Sequence, residues 1–150
     1  MTGAIWLIIG GCLSALASLM HILIILGGPS WYRFFGAGEQ MADMAAQGQA
    51  YPAIITSGIA AVLAIWSVYA FSGAGWLPRM PLLRTALVLI AAIYLIRAIA
   101  FVPALAINGQ TITPFSLWSS AIVLVYGLCY ALGTVMRWQA LAPETIETVI

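Results

Sequence analysis

A chain of 150 residues that is 64% apolar and only 6% charged has too little charge to cover a water-soluble fold, in which about 25% of residues are charged. The net charge is +1, and the five basic residues, Arg33, Arg79, Arg84, Arg97 and Arg137, are scattered. That spacing speaks against nucleic acid as a partner, since phosphate backbones are held by clustered cations.

A helix crossing a hydrocarbon layer of roughly 30 Å needs about 20 apolar residues at 1.5 Å each. Four segments meet this requirement: Gly3 to Leu26, Tyr51 to Phe71, Leu82 to Ile107 and Phe115 to Trp138. The expected fold is therefore all-α, a polytopic membrane protein whose residues 1–150 form one antiparallel four-helix transmembrane bundle. The first segment has no basic residue ahead of its apolar run, and that run is longer than a secretory signal, so it reads as a span. Gly10, Gly11, Ser14, Ser18 and His21 share one stripe of it. Small residues let helix backbones approach, so this stripe, His21 included, should point into the bundle.

The connection from Gly28 to Ala50 is long enough for structure of its own. At 100° per residue, Phe34, Ala37, Met41 and Ala45 form an apolar stripe, opposite Glu39, Asp43 and Gln47. The pattern predicts an amphipathic helix over about 31–47, lying on the outer interface beside Trp31, Tyr32, Phe34 and Phe35. Gly36 and Gly38 weaken it. Turn signals at Ser72 to Gly75, Pro78 and Pro81 follow the second span, and Asn108, Gly109 and Pro114 follow the third.

Arg97 lies well inside the third span, where a charge costs about 2.5–3.5 kcal/mol even on a lenient insertion scale. Tyr94 and Asn108 fall roughly on its face, and Pro103 frees the Ile99 carbonyl as a possible acceptor. Arg97 thus either bonds groups within the bundle or anchors an anion or head group from the outer leaflet. In the fourth span Ser119, Tyr126, Tyr130 and Gly133 form a hydroxylated face that should look inward, either cementing helices or lining a cavity. Cys12 and Cys129 sit in apolar runs, where a thiol acts as a small hydrophobe, and no disulfide is implied.

Arg79, Arg84 and Arg137 flank one set of span ends, so both termini should face the cytoplasm of a bacterial inner membrane, with the amphipathic helix outside. His21, Arg97, Tyr94, Glu39 and Asn108 make up a candidate polar cluster; Ser119, Tyr126 and Tyr130 are candidate cavity-lining residues. Glu39 and Asp43 could act as acid and base only if their helix folds back over the bundle. Met20, His21, Met41 and Met44 are of types that suit Cu(I), but Met41 already has a place on the apolar stripe and no metal site is assigned. One histidine cannot make a bis-histidine haem site, and no cofactor is named.

In size and span count the chain resembles the small multidrug exporters. It departs from them at the chemistry, since no span contains Asp or Glu to couple protons. Hydrolase, nucleotide-binding and dinucleotide signatures are missing too. The sequence favours a non-catalytic membrane module, either an accessory subunit or a bundle binding a small hydrophobic ligand. A membrane-embedded enzyme acting on a lipid-like or isoprenoid-like substrate comes second, and a metal or solute transport component third. The expected partners are the lipid bilayer and either a second copy or a membrane complex.

Overall fold

The computed structural model describes residues 2–109 and 111–142. They form six helices and, among the described residues, no sheet: α1 (Thr2–Gly27), α2 (Pro29–Phe34), α3 (Glu39–Ala46), α4 (Tyr51–Ala74), α5 (Leu83–Ile107) and α6 (Pro114–Met136). Four of these, α1, α4, α5 and α6, are long and apolar enough to cross a membrane. Their outward faces carry exposed Ile5, Leu16, Ile54, Ile65, Leu89, Ile96, Ile122 and Val135. Such a surface fits lipid, where apolar contact with the surroundings is not penalised. The bundle is a square with α1 between α4 and α6, and α5 between α6 and α4, so that α1 and α5 are diagonal partners.

The helices meet where side chains are smallest. A Cβ added at Gly10 would lie 2.9 Å from the Tyr130 ring, one at Gly133 2.6 Å from Leu7 Cγ, one at Gly127 2.7 Å from Leu95 Cδ2, and one at Gly11 2.9 Å from Phe71. Serines then bond across the gaps to backbone: Ser67 Oγ donates to the Gly11 carbonyl and Ser18 Oγ to the Ala60 carbonyl, both at 2.8 Å. These contacts need close backbone approach, which glycine permits.

The ends of the helices carry their own punctuation. Gly75, at φ 88°, closes α4 in the left-handed region, the Trp76 N–H bonds the Phe71 carbonyl, and the Trp76 ring stacks on Phe71. Thr113 and Ser116 exchange side-chain and backbone bonds ahead of α6, with Pro114 in the first turn. The end of the bundle that holds Arg79, Arg84 and Arg137 is called the Arg end here. The opposite end is covered by α2 and α3.

That cover differs from the single helix expected over 31–47. Gly36 and Gly38 adopt φ 68° and 93°, values that end a right-handed helix, and the chain breaks into α2 and α3 around them. The break also changes which residues are buried. Tyr32 and Ala42 are buried and pack with Ile24 of α1, aided by Phe35, Met41 and Ala45, whereas Phe34 is 75% exposed. Met41 is half-buried and Asp43 exposed. The two helices act as a flap folded onto the ends of α1 and α4.

α5 behaves differently in its two halves. All of its buried residues, Leu83, Leu87, Ile90, Ala91 and Tyr94, belong to the half nearer the Arg end. From Leu95 to Ile107 none is buried, so in the flap half this helix only skirts the bundle.

Candidate functional site

At the centre of the bundle, hydroxyl groups from three helices converge. Ser14 Oγ is 2.9 Å from both the Tyr94 and the Tyr130 hydroxyls, and the Tyr130 hydroxyl also lies 2.9 Å from the Trp66 carbonyl, to which it donates. The Tyr94 ring meets Trp66 edge-on at 4.8 Å and lies 5.5 Å from both Tyr126 and Tyr130. Ser14, Tyr94 and Tyr130 are all buried. Each hydroxyl thus finds a partner where water cannot supply one, which is the condition for keeping polar groups in such a core. This knot cements α1, α4, α5 and α6.

The residues expected to gather around Arg97 are elsewhere engaged. Tyr94 faces Ser14, and Asn108 is exposed at the end of α5, where its Nδ2 donates to the Ala104 carbonyl. Pro103 lies inside α5 without ending it. Arg97 itself stacks its guanidinium 3.5 Å above the Phe101 ring centroid, and its Nη1 is buried with no hydrogen-bond partner. Each of the three span-flanking arginines bonds at least one carbonyl, although Arg84 Nε and Arg137 Nε are buried without a partner as well. Arg79 donates to the Ala140, Leu141 and Ala142 carbonyls, Arg84 to Trp138, and Arg137 to Ala74. Arg137 thus satisfies the last carbonyl of α4, while Arg79 and Arg84 hold carbonyls of the turn segment that follows α6.

Glu39 is also placed away from Arg97. It accepts from Arg33 Nε at 2.7 Å while Asp43 accepts from Arg33 Nη2 at 2.8 Å, all on the exposed face of the flap. Hydrogen bonding to Glu39, then its charge and that of Asp43, holds the Arg33 guanidinium above its ordinary pKa. This ion pair clasps the two flap helices across the Phe35–Gly38 break.

Beneath the flap lies a pocket of about 290 Å³, lined by His21, Ile24, Tyr32, Met41, Thr56 and Ile59 among others. His21 Nδ1 donates to the Ala17 carbonyl at 2.7 Å; in the neutral ring this leaves Nε2 as a bare acceptor. Tyr32 is 2% exposed, and its hydroxyl is buried without a partner. Thr56 adds a second hydroxyl to the lining, and the remaining walls are apolar. The pocket therefore sets the Tyr32 and Thr56 hydroxyls and the His21 acceptor in an oily lining. No residue of α5 lines it, so His21 and Arg97 belong to separate regions and not to one cluster.

Ser119, Tyr126 and Tyr130 do not line one cavity. Tyr126 and Tyr130 are in the central knot, and Ser119 Oγ, half-buried, donates back to the Ser116 carbonyl. Sequence reasoning passed over Tyr32, Thr56 and Ser120. Ser120 Oγ is buried without a partner, and its position one residue from Ser119 was the available signal. Cys12 is exposed and Cys129 buried, and both are free thiols. Among the described residues, no group of three or more His, Cys, Asp or Glu is arranged to hold a metal ion. Protein-family models, curated proteins and solved structures contain no match to this chain.

Proposed function

We propose that this protein is a non-catalytic module of the bacterial inner membrane, spanning it four times, that holds a small amphipathic molecule beneath its flap. The observation that carries the reading is the buried, unpaired hydroxyl of Tyr32 in a pocket shared with the acceptor nitrogen of His21. A buried hydroxyl without a partner is unfavourable by about 1–3 kcal/mol, and a ligand oxygen removes that penalty. A carbonyl or hydroxyl group on an apolar body suits the donor, the acceptor and the lining together.

A catalytic reading gains less support. His21 has no carboxylate orienting it, since its Nδ1 is spent on a backbone carbonyl and Glu39 is spent on Arg33. Thermal unfolding of the purified full chain with decylubiquinone and farnesol tests the proposal, alongside mass spectrometry of co-purifying amphiphiles. Binding that falls in Tyr32→Phe and His21→Ala supports the pocket. Absence of any bound or stabilising amphiphile, or equal binding by both variants, refutes it.

A further inference from the structure

The three polar side chains of the flap pocket are not interchangeable, and together they select the head group of whatever the pocket holds. His21, Tyr32 and Thr56 come from α1, α2 and α4 and line the same cavity of about 290 Å³. His21 Nδ1 carries the proton it donates to the Ala17 carbonyl, so Nε2 of the neutral ring has a lone pair and no hydrogen. The Tyr32 hydroxyl is buried without an acceptor. Thr56, also buried, has a hydroxyl that rotates to donate or accept, so it does not discriminate. The selective pair is Tyr32, which needs an acceptor, and His21, which needs a donor.

Charged head groups fit this pair poorly. No arginine lines the pocket, the chain has no lysine, and Arg33 of the flap is spent on Glu39 and Asp43 at the exposed face. A phosphate or carboxylate would enter without a permanent counter-charge, and burying an unpaired charge is strongly unfavourable. A neutral carbonyl, as in a quinone or an ester, accepts from Tyr32 but brings no hydrogen to His21 Nε2. A hydroxyl does both, since one oxygen accepts and donates.

We propose that the ligand beneath the flap is a neutral alcohol, a single hydroxyl at the end of an apolar chain, whose hydrogen His21 Nε2 accepts. This assignment rests on the pocket binding an amphiphile at all, as argued above. The depth of the pocket agrees with it. His21 is six residues from the end of α1 and Thr56 five from the start of α4, so both lie about 7–9 Å inside the flap end. α1, with 26 residues, is about 39 Å long, some 9 Å more than the hydrocarbon layer. With that excess shared between its two ends, the pocket lies a few ångströms inside the boundary, where a lone hydroxyl is far less costly than a charge. Ile55 and Ile59 line the pocket and are also exposed. The α4 wall thus runs on into the lipid-facing surface and gives an apolar chain a way out.

The experiment compares an alcohol with the aldehyde of the same chain, which keeps the acceptor and lacks the donor. The purified full chain is placed in phosphatidylcholine nanodiscs, whose lipid carries no hydroxyl, and thermal unfolding is titrated with farnesol or farnesal. The absence of lysine keeps the aldehyde from condensing with side chains. Farnesol is expected to bind roughly tenfold more tightly than farnesal, as for loss of one hydrogen bond. The preference of 1-dodecanol over dodecanal should match it, which supports a hydroxyl-selective pocket for isoprenoid and straight chains alike. In His21→Ala farnesol should fall to the affinity of farnesal, whereas in Tyr32→Phe both should weaken and the preference remain. Equal binding of alcohol and aldehyde by the parent, or a preference that persists in His21→Ala, overturns the alcohol assignment and leaves the pocket standing. If no probe binds, the pocket falls and the assignment with it. Should His21→Ala not fold, the comparison in the parent decides alone.

Discussion

Replacing Ser14 by alanine tests the central hydroxyl knot. Ser14 Oγ joins the Tyr94 and Tyr130 hydroxyls at 2.9 Å each. On its removal Tyr130 keeps the Trp66 carbonyl, but Tyr94, 5% exposed, loses the one hydrogen bond its hydroxyl makes among the described residues. A buried orphan hydroxyl costs about 1–3 kcal/mol, while hydrogen bonds between membrane helices average about 0.6 kcal/mol. Ser14→Ala is therefore expected to destabilise by about 1–2 kcal/mol. In a Tyr94→Phe background the orphan no longer exists, and the same substitution should cost only about 0.6 kcal/mol, the worth of the remaining bond to Tyr130. The coupling between the two sites is then about 1 kcal/mol. Unfolding of the parent, both single variants and the double variant by dodecyl sulfate in mixed micelles supplies the four free energies. Strict additivity would refute the knot, because residues that share no hydrogen bond have no reason to couple.

Gly133→Ala should destabilise the bundle by about 1–3 kcal/mol, since its Cβ would lie 2.6 Å from Leu7 Cγ and 3.0 Å from the Leu7 nitrogen. Gly58→Ala, which meets nothing within 4 Å, should be neutral or slightly stabilising, and equal melting temperatures for the two would contradict the packing described. In the flap, a cysteine at exposed position Asp43 should react much faster with a membrane-impermeant thiol reagent than one at half-buried Met41; the comparison is made on a Cys12→Ala, Cys129→Ala parent, and equal rates would count against a docked flap. Reporter fusions after Gly75 and after Trp138 should mark the cytoplasm and one near Gln47 the exterior, as the basic residues at the Arg end require; the reverse pattern would overturn that orientation.

The long helices could be read from the sequence because an apolar run of more than 20 residues leaves the backbone little choice in lipid. The flap could not be read so fully. Helical periodicity placed Phe34 on the buried stripe, but periodicity assumes an unbroken helix, and the positive φ of Gly36 and Gly38 resets the phase between α2 and α3. Tyr32 takes the buried place and Phe34 turns outward. The arginines show a similar division. Their charge placed Arg79, Arg84 and Arg137 at one end, yet nothing in the sequence showed that each would close carbonyls near the ends of α4 and α6.

The candidate site was harder to read because sequence periodicity sorts residues onto faces without saying which helices share an interface. Ser14, Tyr94 and Tyr130 each lay on a face expected to look inward, but their meeting depends on the diagonal relation of α1 and α5 across the square. The positions of the glycines give one more clue. Gly3, Gly10 and Gly11 on α1, Gly73 on α4, and Gly127 and Gly133 on α6 all sit where another helix or a ring would meet an added Cβ, and all lie from mid-span to the Arg end. In the flap half of the spans Gly58 faces open space and Gly27 meets the Trp31 ring of the flap, while α5 has no glycine at all. Close packing is thus possible over one half of the bundle, and there the polar groups of the knot pair with one another. Toward the flap α5 withdraws, and the hydroxyl of Ser120 and Nη1 of Arg97 are left without protein partners. Close packing does not by itself pair every group, since Thr134 Oγ1, beside Gly133 in the tightly packed half, is buried without a partner as well.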